Sequence, residues 1–185
     1  MNKNKIQGFT LVELMVVLII ISIFAAISVP SYNRYILRKD LGVAKKEAMR
    51  FANELEKFKS KNFSYKGFNP RFTYSDYDQE KGELLLPVGS DATSAKYILS
   101  LVDLESKSPL TLQMDDQGKE TDASEKVSGL SWAMKVVRAP DSEGTGFKQP
   151  ENYDLLMTST GVKCKTLTAK AVDGFESCGD NKEDW

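Results

Sequence analysis

The sequence predicts an α+β protein in which one long N-terminal helix packs on an antiparallel sheet. Apolar residues form a nearly unbroken run over 9–29 and then recur at three- and four-residue steps to about residue 61, which is a helical pattern. The rest of the chain has short segments of alternating apolar and polar residues between turn-rich stretches. Since no second long helix is available to connect parallel strands, an antiparallel meander is expected.

The composition of the 185-residue chain argues against several classes of function. Its net charge is −1, so there is no global electrostatic support for binding nucleic acid. The chain contains no histidine, which removes the commonest general base and the commonest metal ligand. We therefore expect no catalytic site, no cofactor and no bound metal.

The apolar run over 9–29 is long enough to cross a membrane. About twenty helical residues at 1.5 Å each span a hydrocarbon core of ~30 Å. No small-residue cleavage site follows the run, so we expect the segment to be retained. One carboxylate, Glu13, lies inside the run, where it either reaches the membrane interface or pairs with a cation in an assembly.

Residues 5–32 resemble the N-terminus of type IV prepilins and their pseudopilin relatives. The matching elements are a short lysine-bearing leader ending in Gly8, then Phe9, Thr10, Leu11 and Glu13, the apolar run, and Pro30 followed by Ser31 and Tyr32. The resemblance implies that a prepilin peptidase removes the leader 1–8 by cleaving after Gly8 and methylates the new amine of Phe9. It also implies that Glu13 neutralises the N-terminal amine of a neighbouring subunit, which would penalise wrong registers of assembly.

The stalk helix is predicted to cover 9–61, with 9–29 as the transmembrane segment and filament core. Pro30 removes a helical hydrogen bond, and Gly42 weakens the helix by about 1 kcal/mol relative to alanine. We expect the stalk to bend or melt locally at these two residues. Beyond them, an apolar stripe predicts the face that packs under the sheet, with Glu47, Glu54 and Glu56 largely off it. The stripe consists of Leu41, Ala44, Ala48, Phe51, Ala52, Leu55 and Phe58.

The head is predicted to cover 62–185 and to contain a four-stranded sheet. The strands are expected at 96–104, 110–114, 131–137 and 153–159. An aromatic group precedes them and either fills the core or forms an adhesive surface. The group consists of Phe63, Tyr65, Phe68, Phe72, Tyr74 and Tyr77. The acidic residues Asp180, Glu183 and Asp184 are expected to form a frayed, solvated tail.

Two cysteines, Cys164 and Cys178, follow the last predicted strand with thirteen residues between them. Metal binding would need more ligands and a catalytic thiol would want a histidine, so in an exported head we expect one disulfide. Its loop would stabilise the fold by roughly 3 kcal/mol. Type IV pilins characteristically close a C-terminal disulfide loop, so the pair extends the resemblance, whereas general secretion pseudopilins usually lack it.

These features together predict a structural minor pilin of a type IV pilus, held in the inner membrane with its head in the periplasm before it enters a surface filament. The resemblance implies three partners: other pilin subunits, the prepilin peptidase and the inner-membrane assembly platform. A fairly long head with elaborate middle loops favours a minor subunit. The alternatives are a major pilin, a type II secretion pseudopilin, and an adhesin or DNA receptor displayed on the pilus. No nucleic acid partner is predicted.

Overall fold

A computed structural model describes residues 9–185; the predicted leader 1–8, with Gly8, lies outside the described residues. The described residues divide between Arg38 and Lys39 into two compact units, which are treated separately below. The elements, in chain order, are α1 (Leu11–Asn62), a 3₁₀ turn (Pro70–Phe72), β1 (Glu83–Leu86), β2 (Tyr97–Asp103), α2 (Asp122–Glu125), β3 (Trp132–Arg138), β4 (Asp154–Thr158), β5 (Lys163–Thr166) and β6 (Glu183–Asp184).

The first unit contains the N-terminal part of α1, whose apolar side chains are exposed. The hydroxyl of Ser22 donates to the carbonyl oxygen of Leu18 at 2.7 Å, so this polar group is satisfied within the helix. Helix α1 continues without interruption through Pro30 and Gly42. Bending or melting of the stalk at these residues in a filament stays a prediction.

The six strands form one antiparallel sheet in which every strand pairs with its neighbours in sequence. Strands β2, β3 and β4 lie where the sequence predicts strands, but the expected count of four strands is wrong. The segment 110–114 is not a strand. Leu110 and Thr111 are buried there, and the Thr111 hydroxyl donates to the carbonyl oxygen of Phe68 at 3.1 Å. Leu112 and Met114, the other apolar residues of the alternation, are exposed, so the alternation does not mark one buried face.

The predicted apolar stripe of α1 is the face that packs on the sheet. Five of its residues are buried, and Leu41 and Phe58 pack at its margin. Because side chains alternate along a strand, each strand offers every second residue to this helix. The sheet residues in this core are Leu84, Leu86, Tyr97, Leu99, Leu101, Trp132, Met134, Val136 and Leu155.

Two acidic residues of α1 are also buried, and one of them corrects the prediction that Glu47 lies off the packed face. The Tyr74 hydroxyl donates to Glu47 Oε2 at 2.8 Å, and Gln149 Nε2 donates to Asp40 Oδ2. Burial and the hydrogen bond to Glu47 raise the pKa of the Tyr74 hydroxyl above its usual value. Helical periodicity could not show these pairings because their partners come from distant loops.

The opposite face of the sheet is covered by the loop that the disulfide closes. Cys164 of β5 is bonded to Cys178, as predicted. Within this loop Val172 and Phe175 are buried in a second, smaller core, which also contains Leu156 of β4. The sheet is therefore covered by α1 on one face and by the disulfide loop on the other.

A buried ion pair joins β3 to β4. Arg138 Nε and Nη2 donate to the two carboxylate oxygens of Asp154 at 3.0 and 3.1 Å, and both side chains are almost completely buried. The guanidinium also donates to the carbonyl oxygens of Pro150 and Leu167, each at 2.9 Å. Two-point pairing and additional hydrogen bonds to the charged groups are the conditions under which a buried ion pair is tolerated. The pair thus fixes the loops before β4 and after β5.

Candidate assembly site

The start of α1 is a reciprocal cap made by Thr10 and Glu13. The backbone N–H of Glu13 donates to Thr10 Oγ1 at 3.2 Å, and the backbone N–H of Thr10 donates to Glu13 Oε2 at 3.4 Å. Two N–H groups that the first turn leaves without helical partners are thereby satisfied. The sequence signal for this cap is the spacing Thr-x-x-Glu before an apolar run. A capping role for Thr10 was not predicted.

The apolar run beyond this cap forms an exposed surface along the helix. Its large apolar side chains between Leu11 and Val29 have exposed fractions of 46% to 74%. Within residues 9–185, α1 is the one helix that is long and apolar enough to cross a membrane. An apolar surface of this size needs lipid or other helices around it.

The predicted site residues are divided between the two units. Phe9, Glu13 and Pro30 belong to the first unit, whereas Gly42 and the two cysteines belong to the second. Gly8 lies outside the described residues. The roles assigned to Phe9 and Glu13 in processing and assembly therefore stay predictions.

The aromatic group that follows α1 divides into buried and exposed members. Tyr65 and Tyr77 are buried in the main core with Phe68 and Tyr74, which favours the core interpretation for these four. Phe63 and Phe72, in contrast, point into solvent, with exposed fractions of 87% and 102%. These two rings are available for contacts with other molecules.

Lysines cluster around Trp185, and the participation of Lys45 and Trp185 was not predicted. The ammonium groups of Lys45 and Lys163 lie 5.4 and 4.7 Å from the centroid of the Trp185 ring. Next to it, Lys165 Nζ lies 2.7 Å from Glu183 Oε2. The expectation of a frayed tail is therefore wrong for Glu183, which is exposed but pairs with β5 in the sheet.

Among residues 9–185, no group of three His, Cys, Asp or Glu side chains is placed to hold a metal ion. In the acidic loop after residue 114, Asp115 accepts hydrogen bonds from the backbone N–H groups of Gln117 and Lys119, each at 2.9 Å. This carboxylate thus organises a turn.

Comparison with known proteins gives the following likenesses. Residues 3–29 match the family model of the prokaryotic N-terminal methylation motif. The chain is 40% identical over 70 residues to the fimbrial protein EcpC of Eikenella corrodens, covering 38% of this chain and 43% of the relative. It is 41% identical over 54 residues to the type IV major fimbrial protein FimA of Dichelobacter nodosus, covering 29% of this chain and 35% of the relative.

A longer match is to a fimbrial protein of Dichelobacter nodosus, 30% identical over 164 residues, which covers 83% of this chain and 91% of the relative. The first two matches span less than half of the relatives' length, whereas this one spans nearly the whole. No solved structure matches the chain. The long match agrees with the methylation motif, the apolar helix, the antiparallel sheet and the disulfide loop. The chain belongs to the type IV pilin family.

Proposed function

We propose that this chain is a minor pilin of a type IV pilus. The observation that carries the proposal is the exposed apolar surface of α1 between Leu11 and Val29. In lipid this surface anchors the subunit, and in a filament the same surface packs against the helices of other subunits. Before assembly the chain is held in the inner membrane with its head in the periplasm.

The N-terminus is processed before assembly. The methylation motif covers both sides of the bond between Gly8 and Phe9, which supports cleavage there by a prepilin peptidase and methylation of Phe9. Glu13 then lies one helical turn from the new amine. It neutralises the amine of a neighbouring subunit as the assembly platform extracts the chain from the membrane.

The head supports a minor role. Long connections without sheet strands lie at 63–82 and 104–131, and they display features that a plain filament subunit does not need, such as the exposed rings of Phe63 and Phe72. Such connections suit a subunit with a specialised position in the filament or in its initiation.

A major pilin is the second candidate. The observation that favours it is the name of several relatives, which are type IV major fimbrial proteins. In that case the head surface of this chain would be the surface of the whole fibre.

Quantitative mass spectrometry of filaments sheared from the source bacterium tests the proposal. We expect this chain in the filaments, cleaved after Gly8, methylated on Phe9, and at a small fraction of another pilin. A dominant amount would establish the major pilin instead. Absence from filaments, with the processed chain retained in the membrane, would contradict both candidates.

A further inference from the structure

Residues 183–185 lie along the edge of the sheet. Strand β6 has only two residues, Glu183 and Asp184, which pair with Lys165 and Cys164 of β5. Both β6 residues are exposed. Since paired residues share a face of a sheet, Glu183 and Trp185 lie on the face that α1 covers, and Asp184 lies on the disulfide face. A two-residue strand makes few ladder hydrogen bonds with this edge. The segment is also held by Trp185, which packs against the main core, and by the Tyr153 hydroxyl, which donates to Glu183 Oε1 at 3.2 Å.

Three ammonium groups lie around this edge on the face that α1 covers. Lys165 has a carboxylate partner in Glu183, at 2.7 Å. The ammonium groups of Lys45 and Lys163 lie over the ring of Trp185, and within the described part of the chain no carboxylate lies within 4.0 Å of either. Burial and the charges of Lys165 and Lys163 lower the pKa of the Lys45 ammonium below its usual value. The positive charge of this site is therefore only partly neutralised.

Residues 183–185, which lie along this edge, show which chemical groups the site can bind. They offer backbone groups to the edge of β5, a carboxylate to Lys165, and, two positions later, an aromatic ring to two further ammonium groups. Hydrogen bonds along a sheet edge give affinity in strand addition, and alternate side chains give specificity. An ammonium over an aromatic ring adds attraction.

We propose that the edge of β5, with Lys45, Lys163 and Lys165, is a strand-addition site for an extended segment of a neighbouring pilin subunit. The segment carries an acidic residue and, two positions later, an aromatic residue. Residues 183–185 occupy the site within the chain until that segment replaces them. The inference rests on assembly with other pilins and is independent of whether this chain is a minor or a major subunit.

A peptide-binding experiment tests the chemistry of the site. The full chain in detergent micelles carries Glu183→Ala and Trp185→Ala, which weaken the internal occupant. The probe is a fluorescein-labelled peptide with the sequence of residues 181–185, followed by anisotropy. We expect saturable binding that Lys163→Glu weakens about fivefold, since it replaces one favourable cation–ring contact with a negative charge.

Matched controls separate recognition from general charge attraction. In the peptide, Glu→Gln at the position of Glu183 should weaken binding, whereas Asp→Asn at the position of Asp184 should leave it within about twofold, because that side chain faces away from the lysines. On the chain, Lys170→Glu removes an exposed lysine of the disulfide loop and should have no effect. Lys45→Gln supplies a second variant if Lys163→Glu unfolds. No binding, or equal effects of the two peptide changes, would overturn the proposal.

A cross-linking experiment tests the occupant in filaments. With p-benzoylphenylalanine in place of Lys45, irradiation of sheared filaments should link this chain to a neighbouring subunit, which gives a band of two subunits on a denaturing gel. Cross-links confined to residues 183–185 of the same chain would overturn the proposal. Neither outcome changes the abundance measured by mass spectrometry, so this inference can fail while the proposed function stands.

Discussion

At the scale of single residues, Glu13 combines a cap with a charge. Its side chain accepts a hydrogen bond from the backbone of Thr10, and a neutral amide oxygen could accept the same bond. Neutralising an amine in an apolar bundle, in contrast, needs the negative charge. The two roles therefore respond differently to a change that removes the charge and keeps the oxygen.

Three variants separate these roles. We expect Glu13→Gln and Glu13→Val each to lower incorporation into filaments by more than about tenfold, because an unpaired buried charge costs about 3–5 kcal/mol. Thr10→Ala removes the cap and keeps the charge, so its loss should be much smaller. Immunoblots of sheared filaments measure incorporation, and the size of the membrane form measures cleavage, which should be unchanged. Normal incorporation of Glu13→Gln would show that the cap is the role that matters.

Asp103 is a second residue whose negative charge stabilises the fold. It is buried at the end of β2 and accepts hydrogen bonds from the backbone N–H groups of Ser106 and Gly129 and from the hydroxyls of Ser106 and Ser128, at 2.9 to 3.0 Å. Burial alone would raise the pKa of this carboxyl, but the hydrogen bonds outweigh it and hold the pKa below the usual 3.8. Asp103 thereby ties two loops to the end of β2.

This lowered pKa predicts a pH dependence. A carboxylate with a lower pKa in the folded state stabilises the fold above the unfolded value of 3.8 and loses that contribution as the pH falls through the folded value. We expect Asp103→Asn to lower the free energy of unfolding at neutral pH by about 1–3 kcal/mol and to flatten its decline below about pH 4. Urea unfolding of both proteins at several pH values measures this. Parallel pH curves would contradict the assignment.

At the scale of elements, the pattern of apolar and polar residues predicted β2, β3 and β4 and missed the other strands. Strands β2 and β3 place long apolar side chains on alternate positions, and β4 is a short apolar run between turn-rich segments, so these three were found. Strand β1 has three successive leucines, so no alternation of apolar and polar residues is visible there. In β5 a single cysteine lies between two lysines, and the apolar character of its face is evident only from its packing in the disulfide core. Strand β6 is too short to show any pattern.

The disulfide loop is the element whose contribution can be measured most directly. Its two cysteines are 14 positions apart, and closing a loop of this size stabilises a fold by about 3 kcal/mol in the chain-entropy model. We expect the double change Cys164→Ser and Cys178→Ser to lower the free energy of unfolding by that amount in urea. Ser177→Ala, at an exposed position beside Cys178, should change it by less than about 0.5 kcal/mol. Equal stability of the two variants would show that the loop is held by Val172 and Phe175 alone.

At the scale of the whole molecule, the apolar part of α1 was predictable from the sequence, whereas the lysine site formed by Lys45, Lys163 and Lys165 was not. The methylation motif, the apolar run and the position of Glu13 are local patterns that a sequence shows directly. The lysine site joins Lys45, β5 and residues 183–185, which are far apart in the chain. Only the pairing of β5 with β6 and the packing of α1 bring these three segments together.

The order of the sheet has a consequence for how the head folds. Its strands are paired in the order in which they occur in the sequence, so no later strand has to insert between two earlier ones. Contacts between neighbours in sequence cost little chain entropy to form, which favours fast folding. A chain synthesised from its N-terminus can add each strand as it emerges, starting on the helix that precedes the sheet. Cys178 lies between β5 and β6 in the chain, so the bond to Cys164 can form only after the first five strands have been synthesised.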